Sequence, residues 1–135
     1  PALVAPIVSV RKHSGLMVPA PVQHAMAVAL RDTEHVERQR GVYAARRAFL
    51  LDALTEAGLD VDPDSAAGLY LWVADPANPT DSWALVDRLA DLGILAAPGD
   101  FYGTAAHGRV RVALTATDER IQVAASRIRE AWNAR

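Results

Sequence analysis

Twice along this chain a helix-forming run ends on a glycine and restarts at once on an apolar residue. Leu54-Thr55-Glu56-Ala57-Gly58-Leu59 does so first, and Leu89-Ala90-Asp91-Leu92-Gly93-Ile94 repeats it. Glycine accepts the left-handed conformation that closes a helix C-terminus, so each run predicts a helix stop followed by an extended segment. The strands expected there cover Leu59 to Val61 and Ile94 to Ala97. Between them Leu69-Tyr70-Leu71-Trp72-Val73 is β-rich and bounded by Asp62-Pro63-Asp64 and Asp75-Pro76. Asn78-Pro79-Thr80-Asp81 caps a helix from about 81 to 92, with Leu85, Leu89 and Leu92 facing inward. Residues 98–107 form a turn-rich loop before a strand over 109–115. From about residue 33 onward the order is therefore α-β-β-α-β-β-α. That order predicts an α/β fold of the α+β kind, with a short, mainly antiparallel sheet and helices packed on one face.

The flanking segments read as helices. Pro6 suits a first turn, which places a helix over about 2–13, and Pro19-Ala20-Pro21 opens a second. Val22, Met26, Ala29 and Leu30 recur at helical spacing and predict a buried stripe. Asp32 or Thr33 caps a long helix reaching about Ala57. Val36, Tyr43, Leu50 and Leu54 lie along one side of it, and Arg38, Arg40, Arg46 and Arg47 occupy much of the rest. Such a length suits a helix that joins two bodies of a protein. The last helix buries Ile121, Ala125, Ile128 and Trp132, with Arg127, Arg129 and Arg135 toward its negative end.

Composition narrows the chemistry. The 135 residues are 51% hydrophobic and 22% charged, enough to build a core, and the net charge of −2 provides no footprint for nucleic acid or an anionic membrane. There is no cysteine, hence no disulfide framework, thiol nucleophile or sulfur-based zinc cluster. No apolar run approaches the roughly 20 residues needed to span a bilayer, and no signal peptide is visible. The default expectation is a soluble cytoplasmic protein with no membrane partner. Neither G-x-x-x-x-G-K-[ST] nor G-x-G-x-x-G occurs, so no phosphate-cradling loop can be claimed. His13, His24, His35 and His107 are scattered and predict no metal site. Lys12 is the sole lysine, and nothing beside it would lower its pKa, so it reads as a surface charge.

The segment Gly108-Arg109-Val110-Arg111-Val112-Ala113-Leu114-Thr115 carries the chemical interest. Val110, Val112 and Leu114 alternate onto one face, so Arg109, Arg111 and Ala113 share the other. An arginine on a strand is held by the ladder, and its planar fork can grip a carboxylate with two parallel hydrogen bonds. Most strand arginines simply face water, and the residues alone do not separate the two cases.

Four landmarks in order take the reading further: Val18-Pro19-Ala20-Pro21-Val22-Gln23-His24-Ala25, Ala67-Gly68-Leu69-Tyr70-Leu71-Trp72, Ala97-Pro98-Gly99-Asp100-Phe101-Tyr102-Gly103 and Gly108-Arg109-Val110-Arg111-Val112-Ala113-Leu114. Together they resemble the C-terminal third of a class I/II, fold-type I aminotransferase. The wording that includes Arg11-Lys12-His13-Ser14-Gly15 is nearest to actinobacterial N-succinyldiaminopimelate aminotransferases. The resemblance implies a tail of the large, cofactor-binding domain over 1–31 and a small, substrate-closing domain over 32–135. It implies pyridoxal 5'-phosphate as cofactor, an amino acid and a 2-oxo acid as substrates, and a homodimer when intact. Arg111 would clamp the substrate α-carboxylate, and Phe101 and Tyr102 would stand near the entrance and exclude water. Ser14 and Gly15 would approach the cofactor of a neighbouring subunit.

The departures matter equally. The family's Schiff-base lysine sits in an S-K-x-x-x-x-x-G-x-R-x-G segment expected upstream of Pro1, so no catalytic residue is expected within the chain. Lys12 matches none of that context. The chain alone should therefore not transaminate. A free-standing ligand-binding or regulatory module that reuses the same tail is the rival reading. The fragment reading predicts an exposed apolar surface on residues 1–30, whereas a self-contained module would bury it.

Overall fold

The computed structural model describes residues 2–133. Arg135, expected near the end of the last helix, lies outside the described residues. The chain divides into two compact units, one reaching Arg38 and the other beginning at Gln39.

The first unit holds α1 (Val4–His13) and α2 (Ala20–Ala29). Pro6 falls in the first turn of α1, where a missing N–H costs nothing. The helix closes through Gly15 at φ +68°, with the Leu16 amide donating to the Arg11 carbonyl at 2.9 Å. The Arg11 side chain then donates to the Leu16 carbonyl at 3.2 and 3.0 Å, tying the turn together. Neither helix buries a residue. The stripe expected to be buried is a correction: Val22, Met26 and Leu30 are 48, 55 and 79% exposed. Leu3, Val4, Ile7, Val10 and Val28 are exposed as well. The helical spacing marks a real apolar face, but nothing in this unit is large enough to cover it.

Helix α3 (Thr33–Glu56) starts at Asp32, whose Oδ1 accepts from the His35 amide at 2.9 Å. The unit boundary falls within this helix. In the second unit α3 buries Leu50, Ala53 and Leu54. It ends at Gly58, φ +72°, with the Leu59 amide reaching back to the Leu54 carbonyl at 3.0 Å. There follow β1 (Asp60–Val61), β2 (Tyr70–Ala74), α4 (Ser82–Asp91), β3 (Ala97–Pro98), two 3₁₀ turns (Gly99–Tyr102 and Thr104–Ala106), β4 (Arg109–Ala113) and α5 (Asp118–Asn133). The sheet order is β1-β2-β4-β3 and every pairing is antiparallel. The strand expected over Ile94 to Ala97 is shorter and later. Pro98 has no N–H to donate and is confined to an edge, so the ladder there is only two residues long.

Alternation divides the sheet cleanly. Leu71 and Val73 of β2 and Val110 and Val112 of β4 are buried in one core with Leu50 and Leu54, Leu85 and Leu89, and Ile121, Ala125 and Ile128. Helices α3, α4 and α5 thus pack on a single face, the fold expected from the chain's pattern. The opposite face carries Trp72, Arg109 and Arg111, all half-buried, and Tyr70, 37% exposed.

Polar side chains lock the connections. Asp81 Oδ1 accepts from the Trp83 and Ala84 amides at 3.0 Å each, capping α4. Asp81→Ala should therefore destabilise the protein by about 1 kcal/mol, measured as a shift in its denaturant midpoint at constant slope. Asp75, 6% exposed, accepts from the Ala77 amide at 2.9 Å and pairs with Arg88 at 3.4 Å. The Arg88 guanidinium in turn lies 3.4 Å from the Trp132 ring centroid, joining α4 to α5. Arg127 donates to the Leu92 carbonyl at 2.9 Å, satisfying a group that the end of α4 would leave unpaired.

Candidate active site

The open sheet face is organised by register. Trp72 of β2 lies opposite Arg111 of β4, and Ala97 of β3 lies opposite Arg111 on the other side. Arg111 is therefore on an interior strand, flanked on both sides. Its neighbour across the pleat is fixed through the backbone: the Trp72 amide donates to Ser65 Oγ at 3.0 Å, and its carbonyl accepts from the Asp62 amide at 2.9 Å.

Two aromatic rings meet the Arg111 guanidinium. Its central carbon is 4.0 Å from the Tyr70 ring centroid and 4.9 Å from that of Tyr102. Tyr102 also meets Trp72 edge to face, with centroids 5.2 Å apart and planes at 89°. Among the described residues no carboxylate or carbonyl accepts from Arg111. Arg109, two residues earlier on the same face, differs. It lies 3.9 Å from Asp60 and 3.6 Å from Asp62, so its charge is compensated.

The loop supplying Tyr102 is closed by contact between His107 Nδ1 and Asp100 Oδ1. Gly99 sits so tightly beneath it that a Cβ would come 1.9 Å from the Ala106 carbonyl oxygen. Gly108, at φ +74°, is pressed equally hard, because a Cβ there would come 1.8 Å from the Pro79 carbonyl oxygen. These two glycines set how the loop leaves β3 and re-enters β4.

Of the residues singled out in the sequence, the structure brings Tyr102 to Arg111. Phe101 instead meets Trp83 of α4, with centroids 5.9 Å apart, and is 70% exposed. Ser14 and Gly15 lie in the exposed turn between α1 and α2, in the other unit. Tyr70 and Trp72 were not picked out as site residues, although their alternation opposite Leu71 and Val73 was the available signal. The Asp100–His107 pair and the aspartates beside Arg109 had no sequence signal.

The described residues do not on their own form a pyridoxal phosphate site. Lys12 is exposed on α1, Ser14 and Gly15 are exposed in the turn that follows it, and the Arg11 donors near them are turned onto the Leu16 carbonyl. No group of three or more His, Cys, Asp or Glu among the described residues is placed to hold a metal ion. No described helix is long and apolar enough to cross a membrane.

Arg111 thus stands on an interior strand, on the face away from the core and against two aromatic rings, with no acidic partner among the described residues. The model of the aminotransferase class I and II family matches residues 7–128. The chain is 56% identical over 128 residues to 4-dedimethylamino-4-oxo-anhydrotetracycline transaminase OxyQ of Streptomyces rimosus, covering 95% of this chain and 34% of that protein. It is 33% identical over 129 residues to an LL-diaminopimelate aminotransferase of Nitratidesulfovibrio vulgaris, covering 95% of this chain and 33% of that one. Among solved structures it superposes on an aspartate aminotransferase of Thermus thermophilus with a TM-score of 0.76 at 28% identity, covering 90% of this chain and 34% of that one. The chain thus spans about a third of the length of the relatives it matches. Neither curated relative is named for N-succinyldiaminopimelate. The family is a pyridoxal-phosphate-dependent one. The match over residues 7–128 shows that the chain belongs to the class I and II aminotransferases.

Proposed function

We propose that this chain is the C-terminal, substrate-closing part of a pyridoxal-phosphate-dependent aminotransferase, in which Arg111 binds the α-carboxylate of the amino donor and of the 2-oxo acceptor. The observation that carries this reading is a guanidinium on an interior strand whose donors meet no acceptor among the described residues. Both substrates of an amino-group transfer bear a carboxylate next to the reacting carbon. One planar, bidentate cation can orient either of them in turn. Tyr102, and Phe101 immediately before it in the same turn, would exclude water from the reacting centre.

In this reading residues 1–31 belong to the large domain and 32–135 form the small one. The exposed apolar residues of α1 and α2 support that division, because such a surface needs a body to cover it. Ser14 and Gly15 would then face the cofactor of a neighbouring subunit in a cytoplasmic homodimer. The Schiff-base lysine and the groups that tune the cofactor would come from other residues of the full-length protein, since the lysine motif is absent from this sequence. The donor proposed is N-succinyldiaminopimelate, in lysine biosynthesis. It is favoured by the Arg11–Gly15 wording, and a diaminopimelate-type donor also by the name of the N. vulgaris relative.

The test compares the full-length protein with residues 1–135 alone. The full-length protein should transfer the amino group of N-succinyl-LL-diaminopimelate or LL-diaminopimelate to 2-oxoglutarate, and the chain alone should neither transfer it nor take up the cofactor. Transamination by the chain alone, or none by the full-length protein with any amino donor, contradicts the proposal. Activity confined to other donors removes only the diaminopimelate assignment.

A further inference from the structure

We infer that Tyr70 and Tyr102 are positioning residues for Arg111: two aromatic rings hold its guanidinium in place without neutralising it, leaving its N–H donors free for an incoming carboxylate. The inference rests on the carboxylate-binding reading and deepens it.

The contrast between the two arginines of β4 carries it. Arg109 and Arg111 project from the same face, two residues apart. Arg109 is fixed by charge, beside Asp60 and Asp62. An arginine fixed that way must give up its partner before it can take a substrate carboxylate. Arg111 has no such partner among the described residues, yet it is not loose, because its central carbon lies 4.0 Å from the Tyr70 centroid and 4.9 Å from the Tyr102 centroid. A cation over a ring is attracted by the ring's quadrupole, and this interaction uses no N–H donor directed at an acceptor. The charge is held and remains available.

The rings are themselves braced. Tyr70 belongs to β2 and is set by its pairing with Ala113. Tyr102 meets Trp72 edge to face, and Trp72 is pinned through its own amide and carbonyl. The loop behind Tyr102 is closed by the Asp100–His107 contact and by the close approach at Gly99. Both tyrosines remain partly exposed, 37 and 45%, so neither is needed to fill the core.

The test uses the full-length protein and reads KM and kcat separately, together with the affinity for a non-reacting carboxylate, propanoate, by calorimetry. Tyr70→Leu and Tyr102→Leu should each raise KM for donor and acceptor by about 3- to 30-fold and weaken propanoate to a similar degree, with kcat changed far less. Tyr70→Phe and Tyr102→Phe keep the ring and should restore values near those of the wild type. In an Arg111→Lys background the leucine changes should have almost no further effect, because the group they position is gone. Unchanged KM and propanoate affinity in both leucine variants, while Arg111→Lys does weaken them, overturns the inference and leaves the carboxylate reading standing. Leucine effects that persist in full in the Arg111→Lys background also overturn it. If Arg111→Lys itself changes nothing, the carboxylate reading falls and takes this inference with it.

Discussion

Arg111→Ala is expected to lower kcat/KM of the full-length aminotransferase by two to three orders of magnitude, about 3–4 kcal/mol of lost binding. The estimate follows from what the substitution removes. A bidentate arginine contact provides two charge-assisted hydrogen bonds, and without it the substrate carboxylate stays desolvated with no partner. Arg111→Lys should lose most of the same amount, since a point charge on a flexible stem does not reproduce the fork. The loss should appear with donor and acceptor alike, because both present the same group. A variant that fails with one substrate and not the other would place Arg111 at a side-chain subsite instead. Fold stability should change little, as Arg111 lies outside the buried core and pairs with no carboxylate among the described residues.

Gly108→Ala is expected to destabilise the protein by about 3 kcal/mol or more, through two additive causes. At φ +74° any side chain is strained, and the new methyl would lie 1.8 Å from the Pro79 carbonyl oxygen and 2.6 Å from its carbon. Both contacts are with backbone, so no flexible side chain can swing away. Either the loop before α4 or the start of β4 must move. Gly68→Ala is the matched control. Its φ of +73° brings the same kind of strain, but nothing lies within 4 Å of the added carbon. It should cost only the strain, about 1–2 kcal/mol. The difference between the two melting transitions isolates the contact with Pro79. Equal losses would mean that the contact relaxes freely. Because Gly108 opens the strand that carries Arg111 three residues later, the same change should weaken carboxylate binding as well.

Much of the second unit was legible because its signals are local. Gly58 and Gly93 close helices, Asp81 caps one, and the alternation of Val110, Val112 and Leu114 separates the faces of β4. Each of these depends on neighbours within a few residues. What escaped depends on pieces distant in sequence. The pairing of Trp72 with Arg111 is a register between strands about forty residues apart, and no pattern in either strand specifies it. Without that register Tyr70 and Trp72 read as ordinary β-formers. The strand after Gly93 was placed too early because Ile94 and Leu95 are good strand residues. Leu95 is instead 90% exposed, and the ladder forms only at Ala97 and Pro98. Periodicity in α2 identified an apolar face correctly but could not show whether this chain contains what covers it.

Arg111 was the residue most visible from sequence, yet alternation alone could not tell a solvated strand arginine from a ligand-binding one. The company of Tyr70 and Tyr102 and the lack of an acidic partner among the described residues favour the second reading, and only the folded arrangement displays them.

The most direct measurement is a crystal structure of the full-length protein with a 2-oxo acid bound. Both carboxylate oxygens should lie about 2.7–2.9 Å from the Arg111 nitrogens, in the plane of the guanidinium, with Tyr70 and Tyr102 still against it. A carboxylate bound by other cations, with Arg111 turned away to an acidic side chain of the protein, would contradict the carboxylate-binding reading.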